Sequence, residues 1–209
     1  MAKYTGPKCK VCRREGVQLM LKGQRCLTEK CGIKRKKNVP GQIAKRRGKL
    51  SEYGLQLREK QKIRKSYGVL EKQFRLSFHE ASRMKGVTGD NLLSLLERRL
   101  DNVIYRMGFA SSRSQARQFV QHKHVKVNGH RVDISSYILR ENDEVVITDD
   151  FKENVVLTEA IKLSKAVSAK SEWIDVDFDK KSGRVVRIPS REDISMNFNE
   201  QLVVELYSK

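Results

Sequence analysis

All four cysteines of this 209-residue chain lie near its start, at Cys9, Cys12, Cys26 and Cys31. Two residues separate the first pair, thirteen lie between the pairs, and four separate the second pair. Two close pairs across a short loop let four thiolates converge tetrahedrally, as in a closed structural zinc site. A segment this short buries too little apolar area to fold alone, so a metal would supply the missing stability. Cations at Lys8, Lys10, Arg13, Arg14, Arg25 and Lys30 favour deprotonation of the thiols. The spacing also admits an iron–sulfur cluster or unliganded thiols, whereas two disulfides would require an oxidising compartment. A redox role for Cys9 and Cys12 lacks the strand–helix setting that such a motif needs. With four ligand positions filled, none remains for substrate, so metal catalysis is not expected.

Charge is concentrated around the cysteines. The chain carries 44 Lys and Arg against 25 acids, a net +19, and residues 1–50 alone account for +14. Such a surplus asks for a polyanionic partner. No apolar run approaches the roughly 18 residues of a membrane span, and the first ten residues lack the apolar middle of a signal peptide. A soluble, intracellular protein is therefore expected. Lys34-Arg35-Lys36-Lys37, Asn38-Val39-Pro40-Gly41 and Lys45-Arg46-Arg47-Gly48-Lys49 follow the cysteines. Clustered cations oppose compact folding until phosphates neutralise them. The stretch reads as a nucleic-acid-binding arm, the alternative being a solvated basic tail.

From Ser51 onward the pattern is helical, then mixed. Ser51 is placed to cap a helix running to Tyr67, on which Arg58, Lys62 and Lys65 share one stripe. That helix is poor in apolar residues and needs a partner, for which a phosphate backbone is the natural candidate. Leu70, Phe74, Phe78 and Ala81 keep helical spacing and read as ordinary core. Gly89-Asp90 opens an apolar-faced helix through Leu92, Leu93, Leu96, Leu100, Val103, Ile104 and Met107, stopping at Gly108. Ser112 and Gln115 fit a capping box for the next helix, with Ala116, Phe119 and Val120 inward. On spacing, Arg99 and Arg106 share an outward face of the first helix, and Arg113 and Arg117 of the second; these faces are phosphate-reading or merely solvated. Asn128-Gly129 marks a hairpin and Glu144–Thr148 a further strand. A helix from Thr158 to Val167 and a second hairpin turning at Ser182-Gly183 follow. Asp175, Asp177 and Asp179 read as an acidic face, because Lys180 stands where a calcium loop needs glycine. Residues 199–207 fit either helix or strand.

Three blocks, Arg99 to Ala110, Ser112 to Val120 and His122 to Gly129, resemble the small RNA-binding domain of the ribosomal S-four type. Tyr4-Thr5-Gly6-Pro7, the four cysteines, Pro40-Gly41-Gln42, Tyr53 to Lys62 and Tyr67 to Arg75 extend the likeness to the whole ribosomal S-four family, in its cysteine-containing form. Ile43-Ala44 departs from the His-Gly that many relatives carry there. The resemblance implies a primary binder of small-subunit ribosomal RNA that nucleates assembly of the subunit body in the cytoplasm. It also implies contact with ribosomal protein five and other small-subunit proteins, and an influence on translational accuracy. By position, Cys9, Cys12, Cys26 and Cys31 would hold one structural zinc. Arg99, Arg106, Arg113, Arg117, Lys123 and Lys126 would line the RNA face of the small domain. Residues 199–207 would be a helix returning to the N-terminal helical domain.

The expected fold is α+β: an N-terminal metal knuckle and helical domain, plus a small α/β RNA-binding domain of the S-four type. The boundaries expected are a four-cysteine knuckle over 1–32 and a basic RNA-binding arm over 33–50. A helical domain over 51–90 receives 198–209, and an α/β domain over 91–197 contains the RNA-binding module at about 97–160. Two rival classes fit the residues less well. A pseudouridine synthase shares the module and uses Arg-Leu-Asp, but Arg99-Leu100-Asp101 sits inside a helix without the Thr-x-Gly-Leu continuation, and no segment remains for a catalytic domain. A zinc-dependent DNA regulator needs a base-reading helix and usually a dimer seam, and neither is visible. The reading is a non-enzymatic RNA-binding protein with no small-molecule substrate and no membrane partner.

Overall fold

Three short helices carry the cysteines: α1 (Lys8–Glu15), α2 (Gln24–Leu27) and α3 (Gly32–Arg35). Gly16 ends α1 in the left-handed conformation, φ 72°, a turn that suits glycine. The returning chain buries Leu19 beside Val11 and Cys12. The structure is a computed structural model that describes residues 3–36, 38–41, 50–167 and 171–208. It divides into two compact units, Met1–Leu92 with Met196–Lys209, and Leu93–Ser195.

The first unit is helical. Ser51 caps α4 (Glu52–Ser66), its hydroxyl accepting the Gly54 N–H at 3.2 Å. In α5 (Glu71–Arg83), Phe74 and Ala81 are fully buried. Residues 200–207 form a helix, α11 (Glu200–Tyr207), which packs on α4. Its apolar residues decide the choice between helix and strand: Val203 is buried, and Tyr207, one turn on, sets its ring 4.6 Å from that of Phe78. The Tyr207 hydroxyl donates to Glu71 at 3.0 Å, and Lys60 reaches the same carboxylate oxygen at 2.7 Å.

The second unit joins helices to a sheet. Its division from the first falls within α6 (Thr88–Glu97). Then come α7 (Leu100–Arg106), α8 (Arg113–Gln121), β1 (Val125–Val127), β2 (His130–Arg131) and β3 (Glu144–Ile147). Two helices, α9 (Asp149–Lys152) and α10 (Val155–Val167), lead to β4 (Ile174–Asp177) and β5 (Ser182–Val185). The sheet is antiparallel throughout, in the order β2-β1-β3-β5-β4. Asn128 and Gly129, at φ 48° and 83°, make the expected tight turn. One core unites Val103, Ile104, Phe109, Phe119, Val145, Ile147 and Trp173.

Three elements differ from the sequence expectation. The single helix expected from Gly89 to Met107 is two, because Arg99 is extended (φ −62°, ψ 135°). Residues 135–139 capture the backbone there: Leu100 N–H donates to Tyr137 O at 2.8 Å, Asp101 N–H to Ser135 O at 3.2 Å, and Leu139 N–H to Arg98 O at 3.0 Å. The second hairpin turns before Ser182, where one Asp177 carboxylate oxygen accepts the N–H groups of Asp179 and Lys180, each at 3.0 Å. Gly183 lies instead within β5, where a Cβ would come 2.8 Å from Met107 Cε and 3.0 Å from Asp175 O. Helix α10 starts ahead of Thr158, since Asn154 Oδ1 accepts the Val156 N–H at 2.9 Å.

Candidate nucleic-acid interface

The four cysteines are brought together. Cys9 and Cys12 stand one turn apart on α1, Cys26 on α2, and Cys31 just before α3. All are free thiols. They line one cavity of about 10 Å³ with Lys8, Leu21, Lys22, Arg25, Gly32 and Ile33, room for a single small sphere. Lys22 N–H donates to Cys26 Sγ at 3.4 Å. Burial pushes the thiols of Cys12 and Cys26 up, against backbone hydrogen bonds from Leu19 and Lys22. Gly32 permits the close packing, because a Cβ there would fall 2.8 Å from Cys9 Cβ and 3.2 Å from its sulfur. Among the described residues, no group of three or more His, Cys, Asp or Glu side chains is arranged to hold a metal ion.

The basic arm begins at exposed Lys34, Arg35 and Lys36. Lys34 pairs with Glu29 at 2.9 Å. Two arginines not singled out for this role anchor the chain beyond: Arg13 donates to Asn38 O at 2.9 Å and Arg14 to Pro40 O at 3.2 Å. Lys37, Lys45, Arg46, Arg47 and Lys49, with the Ile43-Ala44 departure, lie outside the described residues. On the α4 stripe all three cations are half-buried and meet groups of their own unit. Arg58 pairs with Glu15 at 3.0 Å and Lys62 with Glu59 at 2.7 Å, while Lys65 sits 3.7 Å from the centre of the Tyr4 ring. The partner that this apolar-poor helix needs is its own unit, because α1 and α11 both pack on it.

The arginines of the small domain need correction. Arg99 is 3% exposed and grips Asp101 through two hydrogen bonds, 3.1 and 2.8 Å long. Arg117 is 8% exposed with its guanidinium 3.9 Å from the same carboxylate. Arg106 makes two bonds, 2.9 and 2.6 Å, to Glu97, itself 1% exposed. None of the three presents an outward face. A buried carboxylate must be paired, and the backbone break at Arg99 sets these arginines over Asp101 and Glu97. Asn102 links the ends of the network: its Nδ2 donates to Glu97 at 2.6 Å and its Oδ1 accepts Arg113 Nε at 2.7 Å. Arg113, like Arg106, is half-buried, its guanidinium 4.6 Å from the centre of the Tyr105 ring.

What the small domain does present is Lys123, Lys126 and Arg131. Lys123 is exposed in the left-handed region, φ 62°, and only 3.7 Å of loose pairing ties it to Asp133. Lys126 is half-buried on the sheet, in register with Arg131. Arg131 was missed, although its place beside the Asn-Gly turn made it readable as exposed. His124 stacks on Phe151 at 4.0 Å and 13°. Burial lowers its pKa; His122 is exposed.

Comparison with known proteins follows this division. Residues 3–97 match the family described as ribosomal protein S4/S9 N-terminal domain, and residues 98–145 the S4 domain. Small ribosomal subunit protein uS4 of Thermodesulfovibrio yellowstonii is 53% identical over 209 residues, 100% of either chain. The chain belongs to the ribosomal S4 family. Proteins called uS4 from Natranaerobius thermophilus and Pseudomonas aeruginosa are each 54% identical over 210 residues, again over 100% of both. The S4 domain match opens at Arg98, beside the backbone break at Arg99. Arg99, Asp101 and Arg106 fall within that match, while Glu97, the partner of Arg106, is the last residue of the N-terminal match.

Proposed function

We propose that this chain is a structural, non-enzymatic constituent of the small ribosomal subunit that binds ribosomal RNA. The observation that carries this reading is full-length likeness to uS4 proteins, 53% identical over 100% of both chains. The RNA-binding residues are Lys34, Arg35 and Lys36 on the arm, with Arg113, Lys123 and Lys126 on the S4 domain. By charge, Lys37, Lys45, Arg46, Arg47 and Lys49 extend the arm. The family resemblance supports early RNA binding that nucleates the subunit body, contact with ribosomal protein five, and an effect on accuracy. The same reading gives the cysteines one structural zinc rather than an iron–sulfur cluster. Four cysteines lining one small cavity and a backbone N–H directed at Cys26 support it. When bound, the ion would supply folding energy to three helices too short to hold together unaided.

Competition of structured small-subunit ribosomal RNA against duplex DNA of equal length tests the proposal. Ribosomal RNA should win by at least about tenfold at physiological salt, since counterion release alone favours no particular sequence. Equal affinity would reject it.

A further inference from the structure

The outward side of α5, expected to matter only for the core it covers, carries a second basic surface. Phe74 and Ala81 are fully buried, while Lys72, Arg75, Leu76, His79 and Arg83 are all exposed. These recur at i, i+3, i+4, i+7 and i+11, which places them within one arc of roughly 100° along about 17 Å of helix. Among the described residues, Lys72, Arg75 and Arg83 form no ion pair, in contrast with α4 beside them. There Lys60 and Arg64 reach Glu71, Lys62 reaches Glu59, and Arg58 reaches Glu15. On α5 itself Lys72 and Arg75 face one another, and the exposed Glu80 stands at the edge of the arc, three residues before Arg83. Like charges three or four residues apart repel on a solvated helix, and solubility is met as well by mixed signs. A protein partner fits poorly, because interface centres are depleted in charge, whereas here one apolar residue, Leu76 at 54% exposure, sits among three cations and His79.

We propose that this face of α5 is a second RNA-contacting surface, with Lys72, Arg75 and Arg83 on successive phosphates and Leu76 against a sugar between them. It rests on the RNA-binding reading above and adds to it a surface in the helical unit. The test measures binding of the full-length protein to small-subunit ribosomal RNA across a salt series. One variant carries Lys72→Gln, Arg75→Gln and Arg83→Gln. A matched control carries Arg140→Gln, Lys162→Gln and Lys180→Gln, exposed residues of the other unit. The slope of log affinity against log salt should become shallower by about 2 to 3 for three lost phosphate contacts in the α5 variant, and stay near wild type in the control. The charge-conserving set Lys72→Arg, Arg75→Lys and Arg83→Lys should keep the wild-type slope, which separates loss of charge from loss of fold. An unchanged slope in the α5 variant overturns the surface. So does an equal fall in the control, which would be an effect of net charge. Wild-type affinity with failure to enter reconstituted particles also overturns it, because the face would then meet a protein. A wild-type protein without preference for ribosomal RNA defeats the broader reading instead.

Discussion

At the residue scale, arginines that a sequence pattern assigns to RNA build the domain that binds it. Glu97 accepts from Asn102 and Arg106, and Asp101 accepts from Arg99 with Arg117 nearby. Periodicity places an arginine on a helix but does not say which carboxylate waits across from it. Glu97 and Arg106 lie on different helices, and their meeting depends on the backbone break between them. Removing one partner of a buried pair is far more damaging than the net worth of the pair. Glu97→Ala should therefore lower unfolding stability by about 3–5 kcal/mol, and Glu97→Gln, which keeps hydrogen-bonding atoms in place, by less. Urea unfolding measures both; a loss below about 1 kcal/mol for Glu97→Ala would put the pair in the class of exposed salt bridges.

At the element scale, local chemistry that acts within a few residues was legible. Ser51 and Ser112 cap their helices, and Asn128-Gly129 turns its hairpin. What was not legible involved distant segments: capture of Arg99 by residues 135–139 and Gly183 packed against Met107, while the docking of α11 was legible only through the family resemblance. Tyr207 and Lys60 converge on Glu71, and although burial raises the Glu71 pKa, these hydrogen bonds hold it below the ordinary glutamate value. A depressed carboxylate contributes stability above its unfolded pKa and loses it as pH falls through the folded one. The melting temperature of wild type should thus exceed that of Glu71→Gln at neutral pH, and the gap should close as pH drops below 4.5. A gap that stays constant down to strong acid would mean that the Glu71 charge does not hold α11.

At the scale of the whole molecule, the net +19 includes cations paired inside the protein and cations that face solvent. Arg58, Lys62, Arg99, Arg106 and Arg117 pair within the protein; the arm, Lys123 and the outer face of α5 are the cations proposed for RNA. Zinc would act on one unit only. Elemental analysis should find one zinc per chain, and chelation should abolish amide protection over residues 3–36 while residues 93–195 keep theirs. Protection unchanged throughout would show that the cysteines fold without metal. By itself the sequence determined the family, the caps and turns, the helical and strand periods, and the clustering of charge and cysteine. These are encoded in neighbours along the chain, where backbone geometry and side-chain chemistry act at short range. Only the tertiary structure decided which cations face solvent. An arginine is turned inward by a carboxylate from another segment, and only the folded packing of helices brings the two within hydrogen-bonding distance.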